Sequence, residues 1–469
     1  MNDFLSLFPL LIICSGGILL MLLSAFERVK LENAPVLSMG IFGAAFVMQL
    51  IASGIPESTL YADTFNGMLV SNGFTHAASL VIIGCGFFTS MSCHTYFRQN
   101  NPCTMEFYSL LFFAAFGMLL LTLSRELITT FISLEIMSLA IYILVGYDRK
   151  RVTSTEALLK YLLLGAFAGA FFTMGSALIY GGAGSTKFYD IGIFISTHSA
   201  ATPLLIGGTF FIFIAFLFKV AAFPFHAWVI DVYEGAATPV TGFMATALKA
   251  AIFTVFANFL ALNSALQKEW VDFLFYIALF TMFGGNLIAI GQANIKRMLA
   301  ASGIVHTGYL LIGLVAISTE SFTGSVIAYY LAAYAVGTLG IFAALSYLGG
   351  KGEKRMSFDD FKGLAKVRPY SAAAIAVFLL SMAGIPPTAG FMGKFYIITS
   401  AISAGQMALA VFAVVSSILS MWYYLRLIII MYFHEAEDAF EIESSVFAPA
   451  CTFILVFFVF AIGLYPIVV

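Results

Sequence analysis

The sequence predicts an all-α polytopic membrane protein of about fourteen transmembrane helices, and three observations carry that prediction. Of the 469 residues, 61% are hydrophobic and only 10% charged, where a soluble globular chain carries roughly 25% charged residues. The mean hydropathy is +1.00. Polar and Pro/Gly punctuation cuts the chain into apolar blocks of about 20 residues, the length that crosses a bilayer as a helix. The 22 Lys plus Arg against 24 Asp plus Glu leave a formal net charge of −2, which excludes disorder and a basic nucleic-acid-binding face. The five cysteines, Cys14, Cys85, Cys93, Cys103 and Cys451, show no CxxC or Cys/His spacing, so they form no disulfide scaffold, zinc site or iron–sulfur site and read as small buried apolar residues.

The blocks run near 7–26, 35–54, 71–97, 107–123, 127–147, 155–180, 202–233, 238–265, 270–292, 295–318, 321–349, 370–403, 405–433 and 445–466. The first follows Met-Asn-Asp without a positive n-region or a small-residue cleavage site, so it reads as a retained helix. Three blocks make an N-terminal segment (1–106), five make a first unit (107–265), five a second (266–433), and an acidic loop with the last helix closes the chain (434–469).

Positive charge accumulates in cytoplasmic loops. With the N-terminus outside, the inside loops hold Arg28, Lys30, Arg98, Arg149, Lys150, Arg151, Lys296, Arg297, Lys351, Lys354, Arg355, Lys362, Lys366 and Arg368. The outside loops hold Arg125, Lys187 and Lys268. Fourteen against three sets the orientation, supports an even number of spans and places both termini outside. The remaining basic residues, Lys160, Lys219, Lys249, Lys394 and Arg426, fall inside blocks, and Glu135 is the clearest acid to do so. A charge at the bilayer centre costs roughly 2.5 to 3.5 kcal/mol even on the lenient insertion scale, so such a row implies a hydrated or paired interior. Lys160 and Arg426 can instead snorkel toward a helix end.

Two blocks are interrupted. In FLFKVAAFPFHAWVIDVYEGAATPV, Pro224 removes a donor and predicts a break near Phe223–Phe225. In LLSMAGIPPTAGFMGKFY, Pro386 and Pro387 predict a second. Lys219 precedes the first break by five residues and Lys394 comes seven residues after the second. Broken helices at membrane depth line protein-enclosed or watery cavities, and paired ones mark the ion path of a transporter. The breaks lie five spans apart; an odd offset reverses direction, so spans 4–8 and 9–13 would be two inverted five-helix units. Glu135 and Lys219 on neighbouring helices would form a two-state pair. Paired, the lysine holds its proton; separated in an apolar site, it can release it. Lys249 and Lys394 would continue the relay, with His306 either a further member or a structural histidine. His226, Asp231 and Glu234 cluster after the first break, but no further ligand lies nearby, so no metal site is expected. The segment HEAEDAFEIES reads as a solvated inside loop or an amphipathic helix on a partner. There is no Walker A loop, GxGxxG or HExxH.

The stretches SLEIMSLAIYILVGY, EALLKYLLLGAFAGAFFTMG, FKVAAFPFHAWVIDVYEGAATPVTGFMATALKAA, IKRMLAASGIVHTGY and SMAGIPPTAGFMGKFY resemble the antiporter-like membrane subunits of respiratory complex I. That family is also similar to multisubunit cation/proton antiporters and membrane-bound hydrogenases. The KYLLLGAF and DVYEGA blocks favour the subunit N type. The resemblance covers nearly the whole chain and implies proton translocation by buried Glu135, Lys160, Lys219, Lys249 and Lys394, coupled to quinone reduction elsewhere in the complex. It implies no cofactor in this subunit, with flavin, iron–sulfur clusters and quinone in partner subunits. The implied surroundings are other membrane subunits, including neighbouring antiporter-like ones, and the lipid of a bacterial inner membrane, with no nucleic acid. A subunit of a cation/proton antiporter or a membrane-bound hydrogenase is the alternative. The chain departs from the family's usual pattern in lacking the proline of Trp-Thr-Pro-Asp at Trp228–Asp231, the first proline of Ala-Pro-Thr-Pro at Ala236–Pro239, and a proline where Leu248 stands. These losses leave the shape of the connection between spans seven and eight open.

Overall fold

The computed structural model describes residues 7–26, 33–54, 65, 67–100, 104–197, 202–317, 324–435 and 445–465. Among them twelve helices are long and apolar enough to cross a membrane. The chain begins with α1 (Phe8–Ala25), α2 (Ala34–Ser53), α3 (Gly73–Gln99), α4 (Met105–Leu123), α5 (Leu127–Val145) and α6 (Val152–Ala183). The short α7 (Phe188–Thr197), in a loop where no element is expected from the apolar blocks, leads to α8 (Pro203–Lys219) and α9 (Val229–Gly235). Next, α10 (Thr238–Phe243) runs through a π-helical turn (Met244–Leu248) into α11 (Lys249–Leu262). Then come α12 (Ser264–Ile290), α13 (Ile295–Val315), α14 (Ser325–Leu348), the one-turn α15 (Leu364–Val367), α16 (Pro369–Ala383), α17 (Ala389–Ser403), α18 (Met407–Phe433) and α19 (Phe447–Leu464). The segment 359–367 meets α16 at 119°. Most of the acidic segment, residues 436–444, and the last four residues lie outside the described residues.

Each interrupted block appears as two shorter helices, not one span, so the continuous spans number twelve where the sequence predicted fourteen crossings. The first break also lies earlier than expected. A proline ring clashes with the carbonyl four residues back, which for Pro224 is that of Val220, and α8 ends at Lys219. Buried backbone groups freed this way must find partners inside the protein. The Val220 carbonyl accepts from Thr307 Oγ1 at 2.8 Å, the Phe218 carbonyl accepts from Trp228 Nε1 at 3.1 Å, and the Phe223 N–H donates to Thr281 Oγ1 at 3.0 Å. Two of the three partners come from α12 and α13, so the first break is completed by the second half of the chain. At the second break α16 ends in Gly384, whose φ of +85° suits a residue without Cβ. The freed Ala383 carbonyl accepts from Lys394 Nζ at 2.9 Å and Ser417 Oγ at 3.2 Å.

Burial separates the helices by role. All of α13 except Arg297, and the whole stretch from Thr238 to Leu260, is buried, whereas fewer than a third of the residues in the spans of α6 and α19 are. The first two therefore form the centre, and the last two lie at the periphery. Small residues allow close approach: a Cβ on Gly117 of α4 would lie 2.5 Å from the backbone nitrogen of Met137 on α5. Because the obstacle is backbone, Gly117→Ala should force the two helices apart and destabilise the protein by about 1 to 3 kcal/mol, read as a lower unfolding midpoint in detergent.

Candidate functional site

The interior charges fall in three places along the buried centre. At the first, Lys219 is the last helical residue of α8 and is buried. Its ammonium donates to Ser138 Oγ at 2.7 Å and to Tyr142 Oη at 3.1 Å, with the Tyr142 ring 5.4 Å away. Ser138 in turn donates to the Leu134 carbonyl at 2.5 Å, leaving its lone pairs to the lysine. The expected Glu135–Lys219 ion pair is not formed: the ion pairs among the described residues join other groups. Geometry explains this. Ser138 and Tyr142 lie about 4.5 and 10 Å along α5 from Glu135, and the lysine reaches α5 at their level. Glu135 is half-buried and approaches α6 at Gly169, where a Cβ would meet its Oε1 at 2.9 Å. The Tyr142 hydroxyl lies over Gly165, one turn earlier on α6.

At the second place, Lys249 opens α11 directly after the π turn, a feature frequent at functional positions. Its ammonium donates to the Gly303 carbonyl and to Tyr334 Oη at 3.4 Å, and lies 4.9 Å from the Tyr334 ring centre. Gly303 leaves room for this: a Cβ there would lie 3.3 Å from both the ammonium and the Tyr334 oxygen. At the third, Lys394 of α17 is buried against the Ala383 carbonyl and Ser417 Oγ (3.0 Å), 5.1 Å from the centre of the Tyr309 ring.

His306 lies between the second and third places. One ring nitrogen is 2.7 Å from Tyr330 Oη and the other 3.3 Å from Tyr424 Oη, which is 2.5 Å from Ser302 Oγ. Its ring centre is 4.8 Å from that of Tyr334 and 6.1 Å from that of Tyr309, the rings that flank Lys249 and Lys394. A small cavity is lined by His306, Tyr330, Tyr334, Ser381 and Gly390. Aromatic rings and an imidazole thus stand between the two lysines, but the hydrogen bonds among the described residues form no continuous path: His306 bonds to Tyr330 and Tyr424, the Tyr309 hydroxyl donates to the Ala413 carbonyl at 3.0 Å, and Lys394 meets Tyr309 only at its ring face.

Lys160 is not with them. α6 has 32 residues, about 48 Å at 1.5 Å per residue, longer than a hydrocarbon core of about 30 Å, and Lys160 lies in its third turn. The Lys160 side chain is 40% exposed and pairs with Glu156 and Asp231, each at 2.6 Å. Asp231 also accepts from Arg297 at 3.0 Å, and Glu234 accepts from Arg297 at 2.5 Å. The acids near the first break are held by cations, and no group of three or more potential metal ligands occurs among the described residues. Arg426 lays its guanidinium 4.6 Å from the Phe358 ring centre. Sequence reasoning missed Ser138, Tyr142, Tyr309, Tyr330, Tyr334, Tyr424 and Ser417; the first three stood at helical spacing from Glu135 or His306, and the other four carried no such signal.

The chain is similar to known proteins over nearly its whole length. The family model described as NADH:quinone oxidoreductase/Mrp antiporter, TM matches residues 124–420. The chain is 37% identical to NADH-quinone oxidoreductase subunit N of Rhodospirillum rubrum over 440 residues, which is 93% of this chain and 89% of that one. A chain of respiratory complex I from Thermus thermophilus with bound aureothin matches with a TM-score of 0.83 at 30% identity, over 98% of this chain and 97% of that one. A chain of the Mrp complex from Dietzia sp. shares the fold, with a TM-score of 0.82 at 20% identity over 99% and 94%.

Burial predicts a difference in reactivity. In detergent-solubilised protein a water-soluble acylating reagent should modify Lys160 while Lys219, Lys249 and Lys394 remain unmodified, as read by peptide mass spectrometry. Equal rates at all four would overturn the placement.

Proposed function

The chain belongs to the NADH:quinone oxidoreductase/Mrp antiporter transmembrane family, among its subunit N members, and from this premise we propose how it works as a proton-translocating membrane subunit of NADH-quinone oxidoreductase. Protons pass by way of Lys219, Lys249 and Lys394, with His306 between the last two. The observation that carries this reading is the row of three buried ammonium groups, two of them lying against tyrosine rings that pack on either side of one histidine. Each ammonium rests on neutral oxygens, so its proton is held without a counter-charge. A change that withdraws those oxygens, or brings a carboxylate such as Glu135 near, alters the lysine's hold on its proton. Lys160, at the rim, is suited to proton entry or exit at the inside face.

Each broken helix pair is read as one crossing, which with the twelve continuous helices gives fourteen spans. Spans 4–8 and 9–13 are two inverted five-helix half-channels over 107–265 and 266–433, each with a lysine next to its break. The subunit holds no redox centre; flavin, iron–sulfur clusters and quinone belong to partner subunits, and electron transfer there biases the lysines here. Its neighbours are other membrane subunits, antiporter-like ones among them, in a bacterial inner membrane with both termini outside. Co-purification tests the assignment: flavin- and iron–sulfur-bearing subunits should accompany the chain, and their consistent absence from a functional cation/proton antiporter would overturn it.

Proton pumping by the assembled complex in sealed vesicles should fall by at least about tenfold in Lys219→Ala and by less in Lys219→Arg, which keeps a donor for Ser138 and Tyr142. Undiminished pumping in both variants would remove Lys219 from the path. For topology, a membrane-impermeant thiol reagent outside the cell should label a cysteine at Lys187 and spare one at Lys354; the reverse pattern would invert the orientation.

A further inference from the structure

One buried carboxylate has no part in the relay just described. Glu353 lies just beyond α14 in a short loop, and its side chain is only 3% exposed. The loop turns it inward through a left-handed backbone: φ is +54° at Glu353 itself, +69° at Gly350 and +75° at Gly352. A residue with a side chain is rarely held in that region unless its surroundings over-determine it. Here they do. One carboxylate oxygen accepts from the Thr238 N–H at 2.8 Å and the Thr238 hydroxyl at 2.6 Å; the other accepts from Arg151 at 3.0 Å and Lys296 at 3.1 Å. Lys296 spends its other bonds on the backbone carbonyls of Glu234 at 3.1 Å and Ala236 at 2.6 Å.

These contacts converge on one short stretch, the turn from α9 to α10. The turn consists of Ala236, at φ −70° and ψ 152°, and Ala237, at φ −56° and ψ 136°. Both lie where a proline ring would hold the chain, yet alanine imposes nothing. The shape of the turn therefore rests on Glu353 and Lys296, which grip it from both sides. Beyond the turn the helix is continuous through α10, the π turn and α11, with Lys249 eleven residues after Thr238. A displacement at Thr238 is carried along that helix to the lysine, because a helix transmits position nearly rigidly over about 16 Å.

We propose that Glu353 is a positioning residue that clamps the turn before α10 and thereby fixes where the Lys249 ammonium meets Gly303 and Tyr334. The clamp joins the two units, since Glu353 and Lys296 belong to the second and Thr238 and Arg151 to the first. Glu353 is suited to holding and not to carrying protons. Burial alone would push its pKa up, but Lys296, Arg151 and the Thr238 donors outweigh that and hold it down at about 2, so it stays charged at every pH a cell meets. The proposal rests on Lys249 being a proton carrier, and the test separates the two.

Ala237→Pro is the informative variant: the φ there suits proline, the preceding residue already has the extended conformation that proline demands, and the Ala237 N–H makes no hydrogen bond among the described residues. NADH-driven proton uptake and assembly would be measured in sealed vesicles for the whole complex carrying Glu353→Gln, Ala237→Pro, both together, or Lys249→Ala. Glu353→Gln should assemble and lose pumping by about tenfold or more, since misplacing a reacting group by about an ångström can cost on the order of a hundredfold. Ala237→Pro alone should pump normally, and in the double variant it should restore at least about half of the lost rate. Normal pumping by assembled Glu353→Gln, beside a deficient Lys249→Ala, would overturn the clamp while leaving the carrier intact. A loss that Ala237→Pro does not restore would also overturn it, since the carboxylate would then act by another route. Normal pumping by Lys249→Ala would instead overturn the reading on which the clamp rests. Should Glu353→Gln fail to assemble, Thr238→Val removes a single bond of the clamp, and its smaller loss must show the same rescue by proline.

Discussion

A backbone carbonyl released inside a membrane has no water to turn to, and in this protein it finds its partner in a side chain brought from elsewhere in the fold, at one break a buried lysine itself. The second break shows this most directly. Ala383 loses its helical partner to the two prolines beyond it, and the group that takes its carbonyl is the ammonium of Lys394. The lysine and the break thus solve each other's problem: a buried cation needs oxygens, and a broken helix has them to give. At the first break, Thr307, Thr281 and Trp228 take the freed groups, which leaves Lys219 to the hydroxyls of α5. The same constraint produces two local solutions, and in both the cation is held by neutral oxygen.

That choice of partner has an energetic meaning. A buried ion pair is strongly attractive and hard to open, and the desolvation of two charges offsets much of its gain. Hydroxyls and carbonyls hold an ammonium less tightly, and a hydroxyl can also hold the neutral amine by turning from acceptor to donor. For a group that must bind and release a proton in turn, a partner indifferent to the change keeps the two states closer in energy. The fixed ion pairs among the described residues lie elsewhere, chiefly around Asp231 and in the Glu353 cluster, where permanence is useful.

Much of this was legible in the sequence. The helices track the apolar blocks closely because a bilayer sets their length, and the broken ones are a consequence of proline stereochemistry. The buried lysines stood out because charge is rare at that depth. What stayed hidden concerns rotation and reach. Glu135 and Lys219 share a neighbourhood, but a few ångströms along α5 decide whether they touch, and spacing in sequence does not report that. The tyrosines count as apolar by composition, so the rings that stand between Lys249 and Lys394 read as ordinary packing. Lys160 fell inside an apolar block, and block edges do not reveal that its side chain is part-exposed and paired with Glu156 and Asp231. The turn at Ala236 and Ala237 kept a proline-like path without that proline because distant residues, Glu353 and Lys296, impose it.

Gly303 offers the lysine of α11 something no side chain could. A main-chain oxygen cannot be protonated at any pH in the cell, cannot rotate away, and is present whatever residue occupies the position. Truncating side chains one by one would therefore never remove this partner, and a survey of that kind would leave Lys249 looking as though it had only Tyr334 for company. The dependence becomes visible only by addition, when a bulkier residue at position 303 crowds the space that the absent Cβ leaves open.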